Sequence, residues 1–488
     1  MQIEGVRLAG NVIGGQEVPA SSGARRMKTA PATGADLFYV AESDATDIDS
    51  AVEAALNAQK IWAGLSVAER KDALLHWARN LRSVFEDIAQ LDAVDSGSPL
   101  GDGRKGLLRG IEHLEHFAGL GFELTGQTVP ATAGNLHYTI REPFGVVGIL
   151  TPFNHPSFFP IKLAAPALAA GNAVVIKPSE QTPLSASIIA TAASGALPDG
   201  LVNVVQGGPE AGQALVAHRK VHRLHLTGGV PTGLAIQRAA AESGIVKHVT
   251  LELGGKNPLI VFPDVSAESA ASAAVKGMNF THQGQSCGST SRLFIHSSMA
   301  EEVTALIAEK VAAIKIGLPD DPESEMGSMV SVKHQQRVLA MIEMAKEDGA
   351  HLLIGGEAGS GDLANGAYVM PTVFTGVRPD MRIAQQEVFG PVLSIIEWDD
   401  EDKMIEAANS TDYGLTAAIW TNNLQKALET AAKVESGYVW VNGVVSRYLG
   451  VPFGGYKNSG TGLEHSRETM LSYTQEKSIS VVLSRGVV

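Results

Sequence analysis

The stretch FGVVGILTPFNHPSFFPIKLAAPALAAGNAVVIKPSE, residues 144–180, decides how this chain folds. It opens on a short apolar run at 144–150 and turns through Thr151-Pro152-Phe153-Asn154-His155-Pro156. It then carries a helical pattern over 158–170 and returns to a second apolar run at 173–176. Strand, helix and strand in this order imply parallel pairing and a doubly wound sheet. The alternation continues through apolar runs at 201–205, 223–226 and 246–251, with helical patterns at 183–193, 209–217 and 231–243 between them. Ligands of such sheets bind outside the carboxyl ends of the strands.

A second α/β block begins near Asn257 and runs to about Val441. Its apolar runs lie at 258–262 and 292–295, and its helical patterns at 299–316, 333–348, 404–409 and 424–434. Upstream, residues 1–45 read as edge strands and loops. A helix over 47–62 follows, with Ile48, Val52, Ala55 and Leu56 at helical spacing. Ser66-Val67-Ala68-Glu69 is a capping-box signature, and one apolar face continues behind it from Leu74 to Leu91. A helical pattern over 109–122 carries His113 and His116, but no third ligand comes at a matching spacing, so no metal site is expected. Residues 125–143 and 471–488 alternate loosely, as extended arms that join subunits do.

The formal net charge of -14 and pI near 5.5 argue against nucleic acid or an anionic membrane surface as partner. No stretch of about 18 apolar residues occurs, and the first fifteen residues lack a basic segment followed by an apolar run. With one cysteine, no disulfide can form within the chain, which fits a reducing, cytoplasmic location.

That cysteine, Cys287, lies in F-T-H-Q-G-Q-S-C-G-S-T-S-R, residues 280–292, a Gly/Ser/Thr-rich run that reads as a closely approached turn. A thiolate attacking a carbonyl needs an oxyanion donor, and its covalent product needs a base to activate water. Asn154, in a Pro-bracketed turn after a strand, could donate to an oxyanion. Glu252, between leucines and followed by two glycines, is poorly explained as a solvated charge and could be a base with a raised pKa. Lys177 and Glu180 follow another strand and could bind ribose hydroxyls. Thr227-Gly228-Gly229 opens a helix whose free N–H groups could face a phosphate.

Taken together, the chain resembles the aldehyde dehydrogenase superfamily over nearly its whole length. The likeness rests on Leu251-Glu252-Leu253-Gly254-Gly255-Lys256, Gly284-Gln285-Ser286-Cys287, Glu387-Val388-Phe389-Gly390-Pro391-Val392, residues 409–414, and Val441-Asn442 through Pro452-Phe453-Gly454-Gly455-Tyr456-Lys457-Asn458-Ser459-Gly460. It implies a Rossmann-like doubly wound NAD-binding domain (1–124 and 144–252), an α/β catalytic domain (253–445) and a small β oligomerisation arm (125–143 and 471–488).

The resemblance also implies roles. Cys287 would attack the aldehyde, the Asn154 side chain and the Cys287 N–H would hold the oxyanion, and Glu252 would activate water to hydrolyse the thioester. Thr151, Pro152, Phe153, Lys177, Glu180, Gly208, Thr227, Gly228, Gly229, Leu253, Glu387 and Phe389 would contact the cofactor. Glu180 accepts from both ribose hydroxyls but repels a 2′-phosphate, so NAD is expected over NADP. Two positions depart from the family pattern: Phe153 stands where tryptophan is commoner, and Gly229 where serine is usual.

For the substrate, Ser286 and Gly288 are small and leave room beside the cysteine for a bulky aldehyde. Arg447 and Tyr448 fall where relatives build a substrate wall, and Arg447 could bind a semialdehyde carboxylate. A homodimer or homotetramer acting on a small-molecule aldehyde is expected. The alternatives are a coenzyme A-acylating semialdehyde dehydrogenase, or a binding or structural protein that keeps the fold.

Overall fold

The computed structural model describes residues 8–482. The expected segments at 1–7 and 483–488, including the end of the carboxyl-terminal arm, lie outside the described residues. Two large sheets organise the chain. The first has eight strands, in the order Gly460–Thr461, His248–Glu252, Arg223–Thr227, Val146–Leu150, Ala173–Lys177, Val202–Val204, Asn11–Ile13 and Gln16–Val18. Its central strands pair in parallel, for example Val146 to Ala173 and Arg223 to Val147. Every residue of Val146–Leu150 and Ala173–Lys177 is buried, as strands covered on both faces must be.

From Val146–Leu150 the chain winds outward through Ala173–Lys177 and Val202–Val204. It then crosses back to Arg223–Thr227 on the other side. That reversal opens a crevice at the carboxyl ends of Val146–Leu150 and Arg223–Thr227. The second sheet has seven strands, in the order His351–Ile354, Thr372–Thr375, Val392–Trp398, Arg292–His296, Pro258–Val261, Thr416–Trp420 and Tyr438–Val441. The short connector after Glu252 carries the chain from one sheet to the other. Asn257 ties it down, donating from Nδ2 to the carbonyls of Cys287 and Ser289, each at 2.8 Å.

Helices cover the first sheet, and buried indoles pin them. Trp62 donates to the Leu168 carbonyl at 2.8 Å and Trp77 to that of Ile189 at 3.1 Å. The apolar face expected to run unbroken to Leu91 is divided. β-Branched Val84 leaves the helical region (φ -113°, ψ 22°), so Val67–Ser83 ends and Phe85–Ser96 begins there. The helix expected from residue 109 starts earlier, at Leu100, and within its first turns Gly103 lies against the preceding helix, where a β-carbon would stand 2.9 Å from the Ala89 carbonyl oxygen. A β-carbon on Gly110 would already touch Ile161 at 3.4 Å. Leu136–Pro143 and Thr474–Val481 form a largely solvent-facing two-stranded antiparallel arm. Among the described residues no helix is long and apolar enough to cross a membrane.

Candidate active site

The Ala267–Met278 helix stops at Asn279, which enters the left-handed region (φ 57°), and Gln283 and Gly284 follow it there (φ 54° and 64°). These turns fold residues 279–291 back onto the connector between the sheets. Glycine at 284 is required, since a β-carbon would lie 2.1 Å from the Gly390 carbonyl oxygen. Asn154, on the turn after Val146–Leu150, donates from Nδ2 to the Gln285 carbonyl at 2.8 Å. Both sheets therefore grip the cysteine loop, and Asn154 keeps a second amide proton free beside it.

The cysteine loop divides two cavities. One, of about 690 Å³, occupies the crevice of the first sheet and reaches Cys287 and Asn154. Thr151, Pro152, Phe153, Lys177, Glu180, Thr227, Gly228, Gly229, Leu253, Glu387 and Phe389 all line it. Gly208 does not. It precedes the Pro209–Ala217 helix, and its N–H is engaged by the Glu42 carboxylate at 2.7 Å.

The cavity's chemistry suits a dinucleotide. The Thr227 hydroxyl is buried without a protein partner. The Val230–Glu242 helix begins at Gly229 with no side-chain cap, leaving its first N–H groups for an anion. The Glu387 carboxylate accepts from the Gly255 N–H at 3.0 Å, and a β-carbon on Gly254 would collide with it at 2.1 Å. Phe153 packs edge-on against Phe389, with ring centres 5.5 Å apart.

The other cavity, of about 650 Å³, is lined by Ser286 and Gly288 on either side of the cysteine, and by Arg109, His155, His282 and Arg447. Gly288 does not leave open room. The Arg447 guanidinium fills the space beside it, and a β-carbon there would lie 2.3 Å from Nη2. Arg447 stacks on Phe453 at 4.4 Å, and its Nε is buried without a partner. Arg109 lies over Phe158 at 5.1 Å, and burial, aided by the charge of Arg447, lowers its pKa to about 10. Among the described residues neither arginine is paired with a carboxylate. Tyr448 is not brought here. It is largely exposed and faces a separate groove. His155 and His282 stack in parallel 4.2 Å apart, with His282 Nδ1 3.4 Å from Asp102, so they form part of this cavity's wall.

Glu252 ends the His248–Glu252 strand, 3% exposed, with Oε1 lacking any hydrogen-bond partner. Burial raises its pKa well above the carboxylate range, and the charge of Glu464 adds to the effect. Glu464 behaves oppositely. Burial works against its charge, yet an ion pair with Lys162 and a hydrogen bond from His225 outweigh it and hold Glu464 far below the ordinary range. Burial also pushes the Cys287 thiol up, and Arg447 opposes that shift.

Lys162, Glu464, His225 and Arg109 escaped the sequence reading. Lys162 had a signal, as the one charge in the otherwise apolar, fully buried Phe158–Ala169 helix. The others had none, since their partners lie far away in the chain. His113 donates from Nδ1 to the Arg109 carbonyl (2.7 Å) and packs on Phe158 and His465; His116 packs on Phe117.

The sequence matches the model of the aldehyde dehydrogenase family over residues 18–479. It is 41% identical over 467 residues to aldehyde dehydrogenase tropH of Talaromyces stipitatus, covering 94% of this chain and 90% of that protein. The structure resembles PnpE from Pseudomonas sp. WBC-3 in complex with nicotinamide adenine dinucleotide, with 37% identity, a TM-score of 0.95 and coverage of 100% and 99% of the two chains. It also resembles betaine aldehyde dehydrogenase from Staphylococcus aureus in complex with NAD+, with 32% identity, a TM-score of 0.95 and coverage of 98% and 95%.

Proposed function

Because this chain belongs to the aldehyde dehydrogenase family, we propose that it oxidises an aldehyde bearing an anionic group to the carboxylic acid, using NAD and water. Oxidation of aldehydes at a cysteine is the family's general reaction. The observation that carries the finer reading is the position of Cys287. On one side stands a cavity suited to a dinucleotide, and on the other a cavity with two unpaired arginines.

In this reading Cys287 Sγ attacks the aldehyde carbon, and the free Asn154 Nδ2 proton and the Cys287 N–H stabilise the oxyanion. NAD supplies the acceptor for the hydride that leaves this carbon. Glu252 then takes a proton from the water that attacks the thioester, and its raised pKa makes it a stronger base than an ordinary carboxylate. The acid departs and the thiol is restored. The Glu180 carboxylate, 3.5 Å from Lys177 Nζ, favours ribose hydroxyls over a 2′-phosphate. Arg109 and Arg447 hold the substrate's anionic group, since both are half-buried and neither is tied up in a salt bridge.

The eight-stranded sheet serves the cofactor, and the seven-stranded sheet carries the cysteine. The arm of Leu136–Pro143 and Thr474–Val481 exposes an edge that a second copy covers, giving a homodimer or a tetramer of dimers. A cytoplasmic location accords with a lone reduced thiol. The test is reduced nicotinamide formation across neutral and carboxylated aldehydes, without coenzyme A, in wild type and Cys287→Ala. Preference for carboxylated aldehydes supports the reading. Equal use of neutral ones overturns the anionic site, and dependence on coenzyme A overturns hydrolysis. A monomer by light scattering at micromolar concentration removes the assembly.

A further inference from the structure

His225 and Glu252 share one face of the first sheet. His225 pairs in register with Thr250, and Thr250 lies two residues from Glu252 on the same strand. Between them and the Phe158–Ala169 helix sits Glu464, 2% exposed, held through Oε2 by Lys162 and through Oε1 by His225 Nε2 at 3.0 Å. Behind the imidazole, Nδ1 lies 2.7 Å from the Tyr473 hydroxyl. This chain has a direction. Ionised Glu464 only accepts, so His225 Nε2 carries the proton, and bare Nδ1 accepts from the Tyr473 O–H. Burial keeps the imidazole neutral, which permits a single tautomer. The tyrosine is itself fixed, with the Arg223 guanidinium 4.8 Å from its ring centre.

Glu252 and Glu464 are two buried carboxylates whose charges oppose each other, so ionising one raises the proton affinity of the other. Glu464 has donors on both oxygens, whereas Glu252 Oε1 has none. We propose that His225, locked in one tautomer by Tyr473, is a positioning residue that makes Glu252 the more basic member of the pair by donating to Glu464, so that Glu252 is the carboxylate that takes the proton from water. The proposal rests on Glu252 being the hydrolytic base. The other titratable groups around the pair are Lys162, Arg447, His113 and His465, and burial holds both histidines neutral.

The test is infrared difference titration of the buried carboxylic acid stretch in the cofactor-free protein, where the band lost in Glu252→Gln identifies the residue. In His225→Leu the Glu252 band should disappear at a pH lower by about one unit, as the proton passes partly to Glu464. Tyr473→Phe should shift it the same way by less. His225→Gln, whose amide still donates to Glu464, should restore the wild-type midpoint. An unchanged midpoint in His225→Leu overturns the proposal; should that variant fail to fold, the Tyr473→Phe midpoint decides alone. Thioester hydrolysis is followed separately: if Glu252→Gln still turns over, the base assignment fails whatever the band does.

Discussion

The Arg447 guanidinium occupies the space that a side chain at position 288 would need, its Nη2 2.3 Å from where a Gly288 β-carbon would stand. The residue after the cysteine is thus glycine so that a cation can approach the reacting carbon's neighbourhood. Gly288→Ala should displace Arg447 and raise KM for carboxylated aldehydes about tenfold, or ~1.4 kcal/mol, with little change for neutral ones. Steady-state kinetics on matched substrate pairs checks this.

Removing the base should separate the two halves of the reaction. Glu252→Gln keeps the side chain's shape but cannot take a proton from water, so one turnover of reduced cofactor should form. Steady-state turnover should then fall by roughly 10²–10⁴-fold. Intact-protein mass spectrometry should find the acyl group on Cys287.

Cofactor choice should respond to a single charge. Glu180 is half-exposed beside Lys177. Glu180→Gln removes the repulsion of a 2′-phosphate while keeping an acceptor, so the NAD to NADP ratio of kcat/KM should fall by about tenfold. Kinetics with both dinucleotides measures it.

Asp92 should make stability fall as pH rises. Burial lifts its pKa from 3.8 to about 7, against the pull of Ser157, which donates through both Oγ and N–H. Between these values the folded state binds a proton that the unfolded state has lost, so this stabilising contribution is complete below the unfolded pKa and gone above the folded one. Relative to Asp92→Asn, the wild type should lose ~2–3 kcal/mol between about pH 5 and pH 8. Denaturant midpoints of both proteins across that range give the difference. Equal slopes would refute it.

Much of the architecture was legible because its causes are local. Apolar runs of strand length alternating with helical periods marked most of the central strands and their crossovers. Misreadings came where tertiary contact overrode local pattern. Gly460–Thr461 joins the first sheet as an edge strand, although nothing in a two-residue Gly-Thr segment signals a strand. The Leu100 helix begins in a glycine-rich turn, where Gly103 lets the Ala89 carbonyl of the preceding helix approach closely. In the site, ten of the twelve expected cofactor positions other than Gly208 and Leu253 lie on three turns and the 387–389 segment, which is why short motifs disclosed them.

From sequence alone came the doubly wound α/β plan, the lone thiol and its family signatures, since each is written in residues close together along the chain. What only the tertiary structure decided is the electrostatics. Lys162 meets Glu464 across 302 residues and His225 meets it across 239, while Arg447 reaches Gly288 from another loop. Burial and through-space charge set which carboxylate is the stronger base and which cation is left without a salt bridge, and neither depends on separation along the chain.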